Sequence, residues 1–368
     1  MGSETDVCLF VSSLNGGGAH KMMVHIAEGL YKRGYNVDIV LVKKEGAFLD
    51  IVPDHIQVVN LNSKRILTSL PKLVRYLNEN QPAALLATPT STTIISVWAG
   101  MIAQTDTKIV LRVPVCLSKT TFYNSPKSIE HKALPYLIRW FYPFSDKLVA
   151  ISYGVGEDLK KTFNFDDANI KVIHNPSINN ETFSLKCEPV DCNFFEFSGP
   201  IFLGVGRLTE QKDFSTLVRA FDKVNEVKES RLIILGEGEK RNEIENLISK
   251  RGLESHVLMP GFVQNPYPYM RRSDIFVLSS AWEGFGNVLV EAMACGTAVV
   301  STNCESGPSE ILNGGEYGPL VPVGDEDRMA EEMIETLSNP IESSMLIERA
   351  QDFHVDNIVD EYEDILLK

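Results

Sequence analysis

Two carboxylates, Glu283 and Glu291, stand eight positions apart in Trp282-Glu-Gly-Phe-Gly-Asn-Val-Leu-Val-Glu-Ala-Met-Ala-Cys-Gly296. A strand-like run, Ile275–Ser280, precedes them, and an apolar helical stretch, Val288–Ala294, contains the second. The loop between turns on Gly284 and Gly286 and presents backbone N–H groups, through Phe285, Asn287 and Val288, at the start of that helix. Such an end binds a phosphate or a sugar hydroxyl. The carboxylates accept from hydroxyl groups, so the pattern suits a sugar joined to a phosphate. A helix start with one solvated glutamate explains the same residues more plainly, and that reading stays open here.

A second cluster follows another strand, in Gly204-Val-Gly-Arg-Leu-Thr-Glu-Gln-Lys-Asp213. Gly204 and Gly206 permit close backbone approach, and Arg207 and Lys212 place two cations in one strand-to-helix loop. Two cations there suit a diphosphate. The third glycine of the dinucleotide fingerprint is missing, which argues against a nicotinamide-dependent dehydrogenase. A third tight turn, Leu235-Gly-Glu-Gly238, puts Gly236 at the end of the next strand.

The elements that must hold these loops alternate. Strand-like runs fall at 7–12, 37–42, 56–61, 83–87, 108–112, 147–151 and 170–173, with helical segments between most of them. The second half repeats the alternation at 200–205, 231–235, 257–259, 274–278 and 298–301, with helices over 214–227 and 240–250. This spacing predicts an α/β chain of two doubly wound, Rossmann-like domains with parallel sheets, whose ligands sit at the carboxyl ends of the strands. The apolar pattern lapses near 175–199. We therefore expect an N-terminal domain over 1–178 and a C-terminal domain over 179–349, with a terminal helix at about 350–368 able to pack back on the first.

The order of the three loops resembles family 4 glycosyltransferases of the GT-B fold, and the second half is similar to that family almost end to end. Glu283 and Glu291 match its E-x7-E motif, and Arg207 with Lys212 resembles its diphosphate-binding pair. The resemblance implies that Glu283 contacts the transferred sugar, Glu291 the ribose, and Arg207 and Lys212 the leaving diphosphate. Pro260-Gly-Phe-Val263, with Phe262, is similar to the segment that meets the base. Glu305-Ser-Gly-Pro-Ser-Glu-Ile-Leu312 resembles the loop after the next strand in bacterial members that use UDP-sugars. The implied fold has two domains facing across a cleft. The implied reaction moves a hexose or N-acetylhexosamine from a UDP-sugar to a saccharide or lipid-linked acceptor, with retained anomeric configuration, in surface-glycan or glycolipid assembly. The UDP-sugar is then a co-substrate, and neither cofactor nor metal is expected. An epimerase-like enzyme on the same scaffold is the competing reading. A phosphorylase would need a pyridoxal phosphate lysine and a longer chain.

In the first half, Asn15-Gly-Gly-Gly-Ala-His-Lys-Met-Met23 is similar to the family's N-terminal glycine loop. Gly16, Gly17 and Gly18 are candidates for approach to the donor. His20 stands where the usual variant has Glu, and Arg112 in Leu111-Arg-Val-Pro114 stands where many members carry a histidine. Both are candidate acceptor contacts. The stretch 119–147 is aromatic and basic, with Phe122, Tyr123, Tyr136, Trp140, Phe141, Tyr142 and Phe144 among Lys119, Lys127, Lys132, Arg139 and Lys147, against Glu130 and Asp146. Such a segment either packs its aromatics into a core or rests on a membrane surface.

Bulk composition sets the frame. The 368 residues are 44% hydrophobic and 23% charged, which is ordinary for a soluble chain of two domains. No apolar run is long enough to span a bilayer, and the first residues lack the pattern of a secretory leader. Net charge is −14, a poor match for nucleic acid. It is uneven: residues 1–180 carry 19 Lys and Arg against 15 Asp and Glu, and residues 181–368 carry 16 against 34. The basic first half admits an anionic membrane surface as a partner. The six cysteines form no CxxC pair and several lie in apolar runs, so buried thiols in a reducing cytoplasm are expected. The expected location is cytoplasmic, including the cytoplasmic face of a membrane.

Overall fold

The computed structural model describes residues 5–15, 17–122 and 129–368, with the side chains of 120–132 left aside. Gly16 therefore lies outside the described residues, as do the side chains of Phe122, Tyr123, Lys127, Glu130 and Lys132 in the aromatic, basic stretch.

The chain divides into two compact units. Unit 1 comprises Met1–Pro176 and Val355–Lys368, and unit 2 comprises Ser177–His354. Unit 1 holds seven parallel strands: β1 (Val7–Val11), β2 (Val37–Leu41), β3 (Gln57–Asn60), β4 (Ala84–Ala87), β5 (Lys108–Val113), β6 (Lys147–Ala150) and β7 (Ile170–Val172). Their order across the sheet is β3-β2-β1-β4-β5-β6-β7. Unit 2 holds β8 (Ile201–Val205), β9 (Arg231–Leu235), β10 (Val257–Gly261), β11 (Ile275–Leu278), β12 (Ala298–Thr302) and the short β13 (Leu320–Val321), in the order β10-β9-β8-β11-β12-β13. In both sheets the order reverses once, between β1 and β4 and between β8 and β11, so each unit is doubly wound.

The sequence explains why the central strands are central. Val7–Val11, Val37–Leu41, Ala84–Ala87 and Ile275–Leu278 are buried at every position, as strands covered by helices on both faces must be. Edge strand β3 has no fully buried residue: Val58 and Val59 are half-buried, and Gln57 and Asn60 are exposed. The first core gathers Leu9, Val11, Ile39, Leu86 and Val110 with Ile26 and Leu30 of helix Gly18–Lys32. The second gathers Phe202, Leu232, Ile234 and Val300 with Leu217 and Phe221 of helix Phe214–Val227 and Met329 and Met333 of helix Glu326–Ser338.

Helix Val355–Leu367 belongs to unit 1 and lies along helix Gly18–Lys32. Gly29 makes the approach possible, because a Cβ there would come within 2.6 Å of Val359 Cγ2. Arg33 Nε donates to Asp360 at 3.0 Å, and the Tyr35 hydroxyl donates to Glu363 at 3.1 Å. The returning helix changes the charge balance. With it, unit 1 carries 20 Lys and Arg against 20 Asp and Glu, so the basic excess of the first 180 residues is cancelled over the unit as a whole. All six cysteines are free thiols, and Cys8, Cys116, Cys295 and Cys304 are buried. No helix among the described residues is long and apolar enough to cross a membrane.

Candidate active site

In unit 2 three loops leave the carboxyl ends of β8, β9 and β11 next to the point where strand order reverses. That geometry decides which sequence motifs meet. The loop after β8 carries Gly206, Arg207 and Lys212. The loop after β11 carries Trp282 to Gly286. Gln211 ties them: its backbone carbonyl accepts from Ala281 N at 2.8 Å, and its side-chain amide donates to the Trp282 carbonyl at 3.0 Å.

The Lys212 ammonium donates to Oε1 of Glu283, and both side chains are largely buried. The same oxygen accepts from the Ser280 hydroxyl at 2.7 Å. The Ser306 hydroxyl, from the loop after β12, donates to the Glu283 carbonyl at 2.6 Å. Glu283 is thus fixed at side chain and backbone, with its charge matched by a cation. Gly206 lets the Lys212 stem pass, since a Cβ there would sit 3.3 Å from Lys212 Cε. Arg207 differs. It is exposed, and its one described contact is a long 3.5 Å approach to Gln211 Oε1. It keeps a full cation for a ligand.

Glu291 is buried within helix Asn287–Ala294 and accepts from the Tyr267 hydroxyl at 3.3 Å. Gly286 precedes that helix at φ 105° and has no side chain to cap it. The first turn, at Asn287 and Val288, thus starts at a terminus that favours negative charge. Asn287 also accepts from the Ser177 hydroxyl at 3.0 Å. Gly284 is buried in the same loop. The phenyl ring of Phe285 does not face a ligand. It is 1% exposed and packs edge-on against Phe353 with ring centres 5.4 Å apart. Gly307 crosses that backbone so closely that a Cβ would lie 1.8 Å from the Phe285 carbonyl oxygen. Gly236, at φ 144°, sits equally close to the Gly206 carbonyl, locking the β8 and β9 loops together. Phe262 is 72% exposed beside Gly261, available for stacking.

Tyr267, Ser280 and Ser306 were not singled out by sequence reading. Ser280 lies three residues before Glu283, whereas Tyr267 and Ser306 reach the glutamates from other elements of the fold.

One Asp-x-Asp run, Asp325-Glu326-Asp327, stands outside the motifs read from the sequence, and such a run can hold a divalent ion. Here Asp325 caps helix Glu326–Ser338 by accepting from Arg328 N at 2.9 Å, while Glu326 and Asp327 pair with Arg219 and Lys223. Among the described residues no group of three or more His, Cys, Asp or Glu is placed to hold a metal ion.

In unit 1 the candidates separate. Gly17 opens helix Gly18–Lys32 at φ 130°, with no atom within 4 Å of where a Cβ would be. Its backbone and that of Gly18 are exposed. His20 folds over this loop, with Nδ1 2.6 Å from the Asn15 carbonyl, and its Nε2 is enclosed without a partner. Arg112 is not presented to a ligand. It is fully buried, donating from Nε to the Tyr362 hydroxyl at 3.1 Å and from Nη2 to Asn175 Oδ1. Its strand is central and covered on both faces, so the side chain is enclosed beneath the returning helix. Asn175, which follows β7, is its partner.

Residues 16–176 match the family model described as Glycosyltransferase Family 4, and residues 195–353 match the one described as Glycosyl transferases group 1. The chain belongs to the group 1 glycosyltransferases of family 4, and its fold is GT-B. It is 34% identical over 224 residues to N-acetylgalactosamine-N,N'-diacetylbacillosaminyl-diphospho-undecaprenol 4-alpha-N-acetylgalactosaminyltransferase of Campylobacter jejuni, covering 60% of this chain and 59% of that one. It is 30% identical over 261 residues to an uncharacterized glycosyltransferase of Methanocaldococcus jannaschii, covering 61% and 64%. The chain therefore spans about three fifths of the length of these relatives. Among solved structures, Anabaena HepE in complex with UDP-glucose superposes with a TM-score of 0.80 at 20% identity, over 98% of this chain and 99% of that one.

Proposed function

We propose that this protein transfers a hexose or N-acetylhexosamine from a UDP-sugar to a saccharide or lipid-linked acceptor, with retention of anomeric configuration. The observation that carries the reading is the cluster in unit 2. An exposed cation at Arg207, a largely buried Lys212–Glu283 pair, a second glutamate at Glu291 and a helix start led by Gly286 occupy one sheet edge. Few ligands other than a sugar diphosphate need both cations and buried carboxylates.

Transfer breaks the bond between the anomeric carbon and the diphosphate oxygen and forms one to an acceptor oxygen. The electron pair of the broken bond goes to the diphosphate. Arg207, Lys212 and the helix start at Asn287 stabilise that charge as it develops. The acceptor hydroxyl attacks on the face the diphosphate leaves, and its proton passes to the departing phosphate oxygen. Glu283 holds sugar hydroxyls, and Glu291 holds the ribose, steadied by Tyr267. In this reading the cations supply the needed charge without a metal ion. The Campylobacter relative acts, by its name, on a diphospho-undecaprenol acceptor, which supports a lipid-linked acceptor and work at the cytoplasmic face of a membrane.

The test is direct. Purified protein with UDP-hexoses and UDP-N-acetylhexosamines, assayed with chelator present, should release UDP only when an acceptor is supplied. Isomerisation of the donor without acceptor would replace this reading with an epimerase.

A further inference from the structure

The loop that carries Glu283 is held by two other segments of unit 2, and one guanidinium touches both. The first segment follows β12. There the Ser306 hydroxyl donates to the Glu283 carbonyl at 2.6 Å, and Gly307 lies against the Phe285 carbonyl. Helix Pro308–Ile311 follows directly. The second is Phe353, whose ring packs edge-on against the Phe285 ring.

Arg349, in helix Ser343–Gln351, joins the two. Its Nε donates to the Ile311 carbonyl at 2.9 Å and its Nη2 to the Glu310 carbonyl at 2.7 Å. A helix leaves its last carbonyls without internal partners, and one of 4 residues has little internal bonding to fix it. The planar fork of arginine meets two neighbouring carbonyls at once, which the point charge of a lysine does not. The guanidinium carbon also lies 4.9 Å from the centre of the Phe353 ring and 5.6 Å from that of Tyr317, within reach of a cation–π attraction. Nη1 pairs with Asp352 at 2.6 Å. Helix Ser343–Gln351 itself packs along helix Asn287–Ala294, so the guanidinium is anchored to the element that carries Glu291.

We propose that Arg349 is a positioning residue for the donor sugar. By tying helix Pro308–Ile311 and Phe353 to one guanidinium, it holds the loop from Trp282 to Gly286 so that the Glu283 carboxylate stays where Lys212 and Ser280 meet it. Arg349 touches no reacting atom and acts only through Ser306, Gly307 and Phe353. The inference rests on the proposed contact of Glu283 with sugar hydroxyls. It separates two halves of donor binding: the UDP portion depends on Arg207 and Glu291, and the sugar depends on a loop that Arg349 sets.

The test compares the full chain with R349M, R349K and D352N. Initial-rate kinetics use the UDP-hexose or UDP-N-acetylhexosamine that supports transfer, and calorimetry uses UDP alone. A reacting group displaced by about 1 Å loses on the order of 10²-fold in rate, so R349M should lower kcat by about ten- to a hundred-fold. Its affinity for UDP should stay that of the wild type. R349K keeps the charge and one hydrogen bond, and its kcat should fall between the two. D352N leaves both carbonyl contacts in place and should keep wild-type kcat. Unchanged kcat in R349M overturns the inference. So does a loss of UDP affinity in step with kcat, since Arg349 then only stabilises unit 2. If R349M does not fold, R349K decides: lowered kcat with intact UDP affinity supports the role, and wild-type kinetics overturn it. An active wild type with unaffected variants sinks this inference alone, whereas a wild type that transfers from no UDP-sugar sinks the glycosyl-transfer reading and this role with it.

Discussion

Lys212 and Glu283, 71 residues apart, are ion-paired in unit 2, and Oε1 of Glu283 also accepts from Ser280. A residue expected to meet a diphosphate and one expected to meet a sugar therefore hold each other. Each places the other, and a bound donor would share both charges. Removing one partner leaves a buried charge unmatched, at a cost of about 3 kcal/mol. Lys212→Met should accordingly lower the melting temperature, and Lys212→Met with Glu283→Gln should recover part of the loss while remaining inactive. A double variant no more stable than the single one would show that the pair does not couple, as thermal unfolding can measure.

Arg207 should behave oppositely. It is exposed and only loosely tethered, so Arg207→Ala leaves stability unchanged. Turnover should drop by about 10²–10³, the range for losing one charge-stabilising donor. Steady-state kinetics with near-normal kcat would remove Arg207 from the reaction.

Tyr267 supports Glu291 through one hydroxyl hydrogen bond. Its loss in Tyr267→Phe should weaken UDP binding about five-fold, equivalent to about 1 kcal/mol. Glu291→Ala should weaken it further. Calorimetry that finds UDP affinity unaltered in Glu291→Ala would take the ribose contact away from this residue.

Arg112→Ala removes a fully buried side chain and leaves the Tyr362 hydroxyl and Asn175 without their partner. A loss of about 3 kcal/mol is expected. UDP affinity should not change, because Arg112 belongs to unit 1. If the variant melts like the wild type and shows a raised KM for the acceptor, Arg112 acts on the acceptor after all.

Burial pushes the Cys295 thiol up to about 12, and the nearby Glu291 carboxylate adds to the shift. The fold thus favours the protonated thiol, whereas an unfolded thiol titrates near about 8.5. Stability from this group is complete below the unfolded value and is lost as pH rises through the folded one. Chemical denaturation between those limits should show declining stability, with a shallower decline in Cys295→Ala. Identical slopes would mean that the thiol does not contribute.

Much of this was legible in the residues. The apolar runs at Val7–Val11, Val37–Leu41 and Arg231–Leu235 located strands because a doubly covered strand must be apolar almost throughout. Gly206, Gly236 and Gly286 located turns because other residues would collide or strain there. Glu283 with Glu291, and Arg207 with Lys212, were visible as charge placed at strand ends. The two-residue strand Leu320–Val321 was not, since so short a run has no periodicity.

What the chain determined by itself was local: which segments are strands or helices, where the loops turn, and which side chains carry charge. Only tertiary structure decided the partners. It joined Lys212 to Glu283, set Tyr267 against Glu291, buried the Phe285 ring on Phe353, and enclosed Arg112 under a helix 250 residues downstream. The reason is physical. Periodicity records whether a residue is covered, but not by what, and hydrogen bonds and ion pairs depend on contacts between elements far apart in sequence.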